Sequence, residues 1–225
     1  MARIPGSLQS AAKEPTVQRV EVGEEECRLT KAVTNGSGTA EDYMALAEIL
    51  SNSDRFDLAV RMLRKALLLP FPDPAQADIS ISLGWILING SRNLGEALLL
   101  GRQAAALTQA TETPTSLLTC ANAQGLIAYC ISRTDREGAR DSAISALALF
   151  EQVANTGTSL DDSTIYNIHF DAARLNCMLG REAEALRCCE EALKLAPDEN
   201  EIVSCMSELG SIYQRQGRST EARQI

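Results

Sequence analysis

The chain has 225 residues and a formal net charge of −9, and hydrophobic residues make up 45% of it while aromatic residues make up 4%. Few aromatic and many small aliphatic residues favour closely packed α-helices over a β-sandwich. The acidic balance argues against a general nucleic-acid binder, and no apolar run reaches the roughly 20 residues of a membrane span. Because residues 1–20 also lack the apolar stretch of a secretory signal, we expect a cytoplasmic protein with an all-α fold.

The first part of the chain has no helical pattern. Residues 1–39 contain Gly, Ser, Thr and Pro together with charges of both signs, which predicts a disordered or weakly ordered N-terminal tail. Within this tail, residues 17–22 alternate apolar and polar side chains, a pattern compatible with a short strand added to a partner. Residues 34–39 have the composition of a flexible linker.

From residue 40 onward, apolar residues recur at three- and four-residue steps, which predicts helices arranged in pairs. The first pair covers residues 40–73 and ends in a proline-rich segment. The second covers residues 75–109 and carries Gly101 inside its second helix. Glycine in a helix interior costs about 1 kcal/mol relative to alanine, so this position predicts a close contact between helices.

The third pair, residues 114–154, is the least regular. Gly125 suits a close contact in its first helix. Either Ala139 or Ala143 is the key small residue of its second helix, and the register that uses Ala139 is preferred.

Two more pairs complete the chain. In the fourth, residues 163–197, Gly180 stands where the first helix has to end, because glycine enters the left-handed conformation without steric cost. The fifth, residues 200–225, leaves its second helix room for only about two turns. The last pair is therefore predicted to be incomplete.

The pattern of these pairs resembles the tetratricopeptide repeat (TPR) family over residues 40–225. The key small residues of the second helices are separated by 38, 42, 46 and 37 residues, against about 34 in the family, and the excess falls in polar connectors. These residues are Ala59, Ala97, Ala139, Ala185 and Ala222. The resemblance implies a right-handed α-α superhelix (solenoid) of about five helix pairs, which acts as a protein-interaction scaffold or adaptor.

Catalysis has no positive support in the sequence. The single histidine, His169, falls on a predicted helix without a neighbouring nucleophile, and residues 34–39 lack the Gly-Lys-Ser/Thr of a phosphate loop. The seven cysteines include no Cys-x-x-Cys pair, so we interpret them as reduced structural thiols rather than metal ligands. We therefore expect a protein that is not an enzyme and that uses no cofactor or metal.

In the TPR family the first helices of the pairs line a concave groove that receives a peptide, and the resemblance carries this groove over to the chain. Large aromatic residues would anchor the peptide, asparagines would bond its backbone, and an arginine would meet an acidic group. The candidate binding residues are Ile81, Trp85, Asn122, Tyr129, Asn167, Phe170 and Arg174. The alternative is that Trp85 and Tyr129 only cover neighbouring helices.

Other functions of the family are less compatible with these residues. Chaperone-binding members hold a carboxylate with basic side chains, and the matching positions here supply no positive charge: Met44, Glu48, Ser82, Thr119 and Ala123. A second hypothesis is an assembly subunit that docks or self-associates through the incomplete fifth pair, which would expose Ile212 and Tyr213. A third is a helical regulatory fragment of a longer protein.

Overall fold

The structure is a computed structural model that describes residues 15–109 and 112–225, with side chains from residue 23 onward. Over these residues the chain forms eleven α-helices and no strand, which confirms the all-α prediction. The helices are α1 (Pro15–Thr34), α2 (Ala40–Asn52), α3 (Phe56–Ala66), α4 (Asp73–Ser91), α5 (Leu94–Thr108), α6 (Pro114–Ile131), α7 (Arg136–Asn155), α8 (Asp162–Met178), α9 (Glu182–Leu195), α10 (Glu199–Arg215) and α11 (Ser219–Ala222).

From α2 onward the helices stack in pairs and form an α-α solenoid. The even-numbered helices α2, α4, α6, α8 and α10 each contact the next even-numbered helix, and so make one continuous layer. The odd-numbered helices α3, α5, α7 and α9 contact only even-numbered helices. In a curved stack, helices of the inner layer lie closer to each other than helices of the outer layer do. The even-numbered helices therefore form the inner face.

Side-chain caps determine where several helices begin. At the start of α2, the Thr39 hydroxyl accepts a hydrogen bond from the Asp42 amide at 3.2 Å, and the Asp42 carboxylate accepts one from the Thr39 amide at 2.9 Å. Asp161 caps α8 and Asp198 caps α10 through their carboxylates. Each such cap contributes about 1 kcal/mol to stability. At the other end of α8, Gly180 has a φ of +71°, the left-handed conformation that the sequence predicts there.

Small residues bring the second and third pairs into close contact. A Cβ atom added to Gly84 would lie 2.6 Å from Leu126 Cδ2, and one added to Gly101 would lie 3.1 Å from Ile127 Cγ1. The close contact expected at Gly101 is therefore present. The one expected at Gly125 is wrong, because no heavy atom lies within 4 Å of a Cβ added there.

The N-terminal segment differs from the predicted tail. Residues 15–34 form helix α1, so residues 17–22 belong to a helix rather than to a strand, while residues 1–14 lie outside the described residues. Leu29 and Val33 are buried in the same core cluster as Tyr43 and Leu46 of α2. The Glu26 carboxylate pairs with the Arg55 guanidinium at 2.7 Å.

The predicted linker between this segment and the repeats is an ordered turn. The Ser37 amide donates to the Ala32 carbonyl at 3.0 Å, and Gly36 has a φ of +75°. This combination closes the end of α1 and leads directly into the cap of α2. The helix was hidden in the sequence because only two apolar residues of its described part, four positions apart, reach the core.

The fifth pair is incomplete, since α11 has only 4 residues. The expectation that this end exposes Ile212 is wrong: that side chain is fully buried with Cys189 and Leu209, because α10 packs against α9. Tyr213 is half-buried. None of the described helices has both the length and the apolar character needed to cross a bilayer.

Candidate partner-binding site

Three aromatic side chains surround one arginine on the inner face. Trp85 of α4 and Tyr129 of α6 have ring centroids 5.4 Å apart, with their planes inclined by 60°. The guanidinium carbon of Arg174 on α8 lies 4.8 Å from the Trp85 centroid and 5.6 Å from the Tyr129 centroid. It also lies 5.9 Å from the ring centroid of Phe170. We call these four residues the aromatic–arginine cluster.

The solenoid positions this cluster through neighbouring inner helices. Phe170 and Arg174 are four residues apart and therefore share one face of α8. Phe170 stacks on Tyr166, with centroids 5.8 Å apart, and the Tyr166 hydroxyl donates to the Glu201 carbonyl at 3.5 Å. Phe170 is thus connected through Tyr166 to α10, while α4 and α6 supply the other two rings.

A shallow concave pocket, open to solvent and with an enclosed volume of about 20 Å³, lies against the cluster. Trp85, Tyr129 and Arg174 line it together with Asn122 and Asp171. Buried Ala121 and Leu175 form an apolar floor. This arrangement combines flat apolar surfaces with a few polar groups, which is the usual make-up of a ligand-binding surface.

The positive charge of Arg174 is only partly neutralised by an acidic side chain of the protein. Its guanidinium lies 3.8 Å from the Asp171 carboxylate, and neither side chain is fully buried. Desolvation raises the pKa of Asp171, an effect that the positive charge of Arg174 opposes. Among the described residues Arg174 makes this one ion pair and donates no hydrogen bond, so its N–H groups remain available to a ligand.

The structure separates the sequence-predicted site residues into two groups. Trp85, Asn122, Tyr129, Phe170 and Arg174 lie at or beside the same pocket, and Tyr129 keeps 39% of its surface exposed.

Two of the candidates stand apart from that pocket. Ile81 is only 7% exposed and packs against Ala104 and Ala123, so it belongs to the core between helices. Asn167 is exposed on α8 but does not line the pocket. Asp171 and Met178, which do line it, were missed although they follow the three- and four-residue spacing from Arg174.

A second charged region of the inner face lies near its two ends. The neighbouring Asp198 carboxylate, together with burial, raises the pKa of Glu201 to about 7. Desolvation and the charge of Asp198 raise the pKa of Glu48 on α2.

The cysteines are reduced, and most are enclosed by the core. All seven thiols are free. Burial raises the pKa of Cys130 and Cys177 to about 11 and that of Cys189 to about 12, which keeps these thiols protonated and unreactive at neutral pH. No group of His, Cys, Asp and Glu side chains in the described ranges is arranged to hold a metal ion.

Comparison with known proteins supports the resemblance. A sequence profile of the tetratricopeptide repeat matches residues 202–225, which form the fifth pair. The fold is similar to that of a thermophilic TPR protein from Thermus thermophilus, with a TM-score of 0.56 and 19% identity over 82% of this chain and 86% of that one. It is also similar to BtubC from P. vanneervenii, with a TM-score of 0.54 and 16% identity over 95% of this chain and 88% of that one. At such identities the likeness shows the fold alone. No curated protein sequence matches the chain.

Proposed function

We propose that this chain, which has the fold of tetratricopeptide repeat proteins and matches the repeat profile over residues 202–225, is an interaction scaffold whose inner face binds a peptide segment of a partner protein at the aromatic–arginine cluster. The observation that carries this proposal is the position of Trp85, Tyr129 and Arg174 around one open pocket. Tryptophan, tyrosine and arginine are the residue types that most often dominate binding energy at protein interfaces.

The roles within the site follow from the contacts. Trp85 and Tyr129 offer flat surfaces on which an apolar side chain of the peptide packs. Arg174 is held by the rings at 4.8 and 5.6 Å, so its planar guanidinium loses little conformational freedom when it bonds an acceptor. Asn122 offers both a donor and an acceptor to the peptide backbone.

A displayed library of short random peptides, selected against the full chain, tests this proposal. Ligands that occupy the site should bind Trp85→Ala at least about thirtyfold more weakly, because loss of an interface hot spot costs about 2 kcal/mol or more. The matched control is Leu99→Ala, which removes a large exposed side chain from α5. Unchanged affinity for Trp85→Ala, or an equal loss in both variants, would place binding elsewhere.

A second candidate is self-association through the fifth pair. One observation favours it: Val203 on α10 is 63% exposed, and Ile202 beside it is also exposed. In that case the solution mass of the chain would exceed that of one copy, and Val203→Glu would return it to the monomer. A monomeric wild-type chain over the concentration range of the binding assay excludes this candidate.

A further inference from the structure

Four arginines lie together where the inner helices turn into the outer ones. Arg92 follows α4, Arg133 follows α6, and Arg136 and Arg140 lie in the first turns of α7. Arg92 and Arg133 line one open depression, and Arg136 and Arg140 line another; Ser132 belongs to both. We call these four residues the arginine edge.

The arginine edge is a local excess of positive charge on an acidic protein. Its four side chains are exposed, and in the part of the chain that the structure describes they form no ion pair or hydrogen bond. By contrast, Arg55 and Arg64 each pair with a glutamate. One acid, Glu137, lines the depression of Arg136 and Arg140, and the nearby Asp135 accepts a hydrogen bond from the Gly138 amide as the cap of α7.

The arginine edge is continuous with the proposed binding site. Tyr129 lines both the pocket of the aromatic–arginine cluster and the depression that contains Arg92 and Arg133. Met178 joins the same pocket to the depression that contains Arg136 and Arg140. A peptide anchored on Trp85 and Tyr129 therefore lies next to the arginine edge.

The backbone at Arg92 is unfavourable for an arginine. Its φ of +53° is the left-handed conformation, which is strained for a residue with a Cβ atom. The corresponding turns after α2, α8 and α10 place Asp54, Gly180 and Gly217 in this conformation, with φ of +58°, +71° and +72°. The left-handed residue is therefore a general feature of these turns, and after α4 it is an arginine with an exposed side chain.

We propose that the peptide bound by this protein is acidic, with an apolar side chain on Trp85 and Tyr129 followed by Asp and Glu residues that meet the arginine edge. This inference rests on the proposed function and adds the chemistry of the partner. Exposed arginines attract carboxylates over several ångströms and so favour both encounter and orientation of such a segment.

Charge elsewhere on the inner face favours an acidic peptide over a nucleic acid. The arginine edge spans only two turns of the solenoid, whereas Glu48 and Asp198 lie elsewhere on the inner face. A long polyanion would be repelled by these carboxylates, and a short acidic run beside an apolar anchor avoids them.

The test uses the full chain and the same random peptide library. Selected ligands should carry Asp and Glu on one side of an apolar residue, and they should bind the Arg133→Glu, Arg136→Glu double variant about tenfold more weakly or worse at low salt. The control is Arg102→Glu, Arg187→Glu, which changes the net charge equally at exposed positions on α5 and α9. This control should bind within about twofold of the wild type.

The outcomes separate the two proposals. A library that yields no ligand, or ligands indifferent to Trp85→Ala, overturns the proposed function. Ligands that need Trp85 but are neutral or basic, or that lose equal affinity in both charge variants, overturn the acidic peptide and leave the proposed function standing. A single-stranded oligonucleotide that binds more tightly than the selected peptides, and is lost in Arg133→Glu, Arg136→Glu, also overturns the acidic peptide.

Discussion

The Arg174 guanidinium lies 4.8 Å from the centroid of the Trp85 ring although the two residues belong to the fourth and second helix pairs. Arg174 therefore reaches past α6 and connects inner helices that are not sequential neighbours. A cation over an aromatic face contributes about 0.5–1 kcal/mol at a partly exposed site.

Replacement of Arg174 by alanine should be visible in the fluorescence of the protein. Trp85 is the single tryptophan of the chain, so emission reports on this site alone. Arg174→Ala uncovers the indole, and we expect emission at longer wavelength and a free energy of unfolding lower by about 0.5–1 kcal/mol. Arg187→Ala, on the exposed face of α9, should change neither quantity. Identical spectra for the wild type and Arg174→Ala would contradict the stacked arrangement.

Arg92→Gly should raise stability while it weakens binding of acidic peptides. Glycine removes the strain of the left-handed backbone, which stabilises the folded state by about 1–2 kcal/mol. The greater conformational freedom of glycine in the unfolded chain lowers this gain by about 0.5–1 kcal/mol. We expect a net gain of about 0.5–1 kcal/mol by urea unfolding. The converse control is Gly180→Ala, where an added Cβ meets no atom within 4 Å, so that backbone strain alone should destabilise it. A loss of stability in Arg92→Gly would show that the arginine side chain supports the fold.

Gly84→Ala and Gly210→Ala should have opposite effects although both glycines lie inside inner helices. At Gly84 the new methyl group would meet Leu126 Cδ2 at 2.6 Å, whereas at Gly210 it would meet nothing within 4 Å. Overpacking costs about 1–3 kcal/mol, and alanine gains about 1 kcal/mol of helix propensity. We expect Gly84→Ala to lower the free energy of unfolding by about 1 kcal/mol and Gly210→Ala to raise it by a similar amount. Equal shifts in calorimetry would mean that Leu126 moves aside without cost.

Leu29→Ala tests whether α1 is an integral part of the repeat domain. Leu29 is 1% exposed in the core beside α2, so its truncation should lower the free energy of unfolding by about 2–4 kcal/mol. Leu68 is 86% exposed, and Leu68→Ala should change stability by less than about 0.5 kcal/mol. If both variants unfold at the same urea concentration as the wild type, α1 contributes little to the stability of the repeats.

Glu201 should give the protein a pH-dependent stability near neutrality. Its pKa is raised from 4.5 to about 7 in the folded state. Between these two pH values, the folded state therefore keeps a proton on Glu201 that the unfolded state has lost. The resulting stabilisation is complete below pH 4.5 and is lost as the pH rises through 7. Glu201→Gln removes this dependence and should be more stable than the wild type at high pH, but not at low pH. Urea unfolding at a pH below 4.5 and at a pH above 7 measures this difference between the variant and the wild type.

Local sequence patterns account for most of the fold. Helical periodicity places the helices, and the position of Gly180 predicts a left-handed helix end that the structure contains. Helix α1 escaped prediction because its contacts come from Leu29 and Val33 alone among its described side chains, a stripe too narrow to stand out from a polar background. Gly125 shows the opposite error, since a close contact was predicted there and no heavy atom lies within 4 Å of an added Cβ.

The candidate binding site was harder to predict from such sequence patterns. Phe170 and Arg174 share a helix face by spacing alone, but the stacking of Arg174 on Trp85 depends on how far the solenoid curves between pairs. Ile81 was assigned to the binding surface for the same reason: the sequence of one helix pair does not show which positions the neighbouring pairs cover. In the stack, Ile81 lies on an inner helix with neighbours on both sides and is buried. The arginine edge was missed because residues in turns follow no period, and only the stacking of pairs brings Arg92 beside Arg133.

The contacts of Leu126 with Gly84 and Gly101 hold the second and third helix pairs together when the domain begins to unfold. One side chain from the third pair reaches backbone positions on both helices of the second, so neither pair separates without breaking the same interface. In a stack held by nearest-neighbour contacts, fraying then begins at the terminal units and spares this central block. Trp85 and Tyr129 lie on the central block, so this half of the proposed site persists in partly unfolded forms in which α1 or the short last pair has already detached.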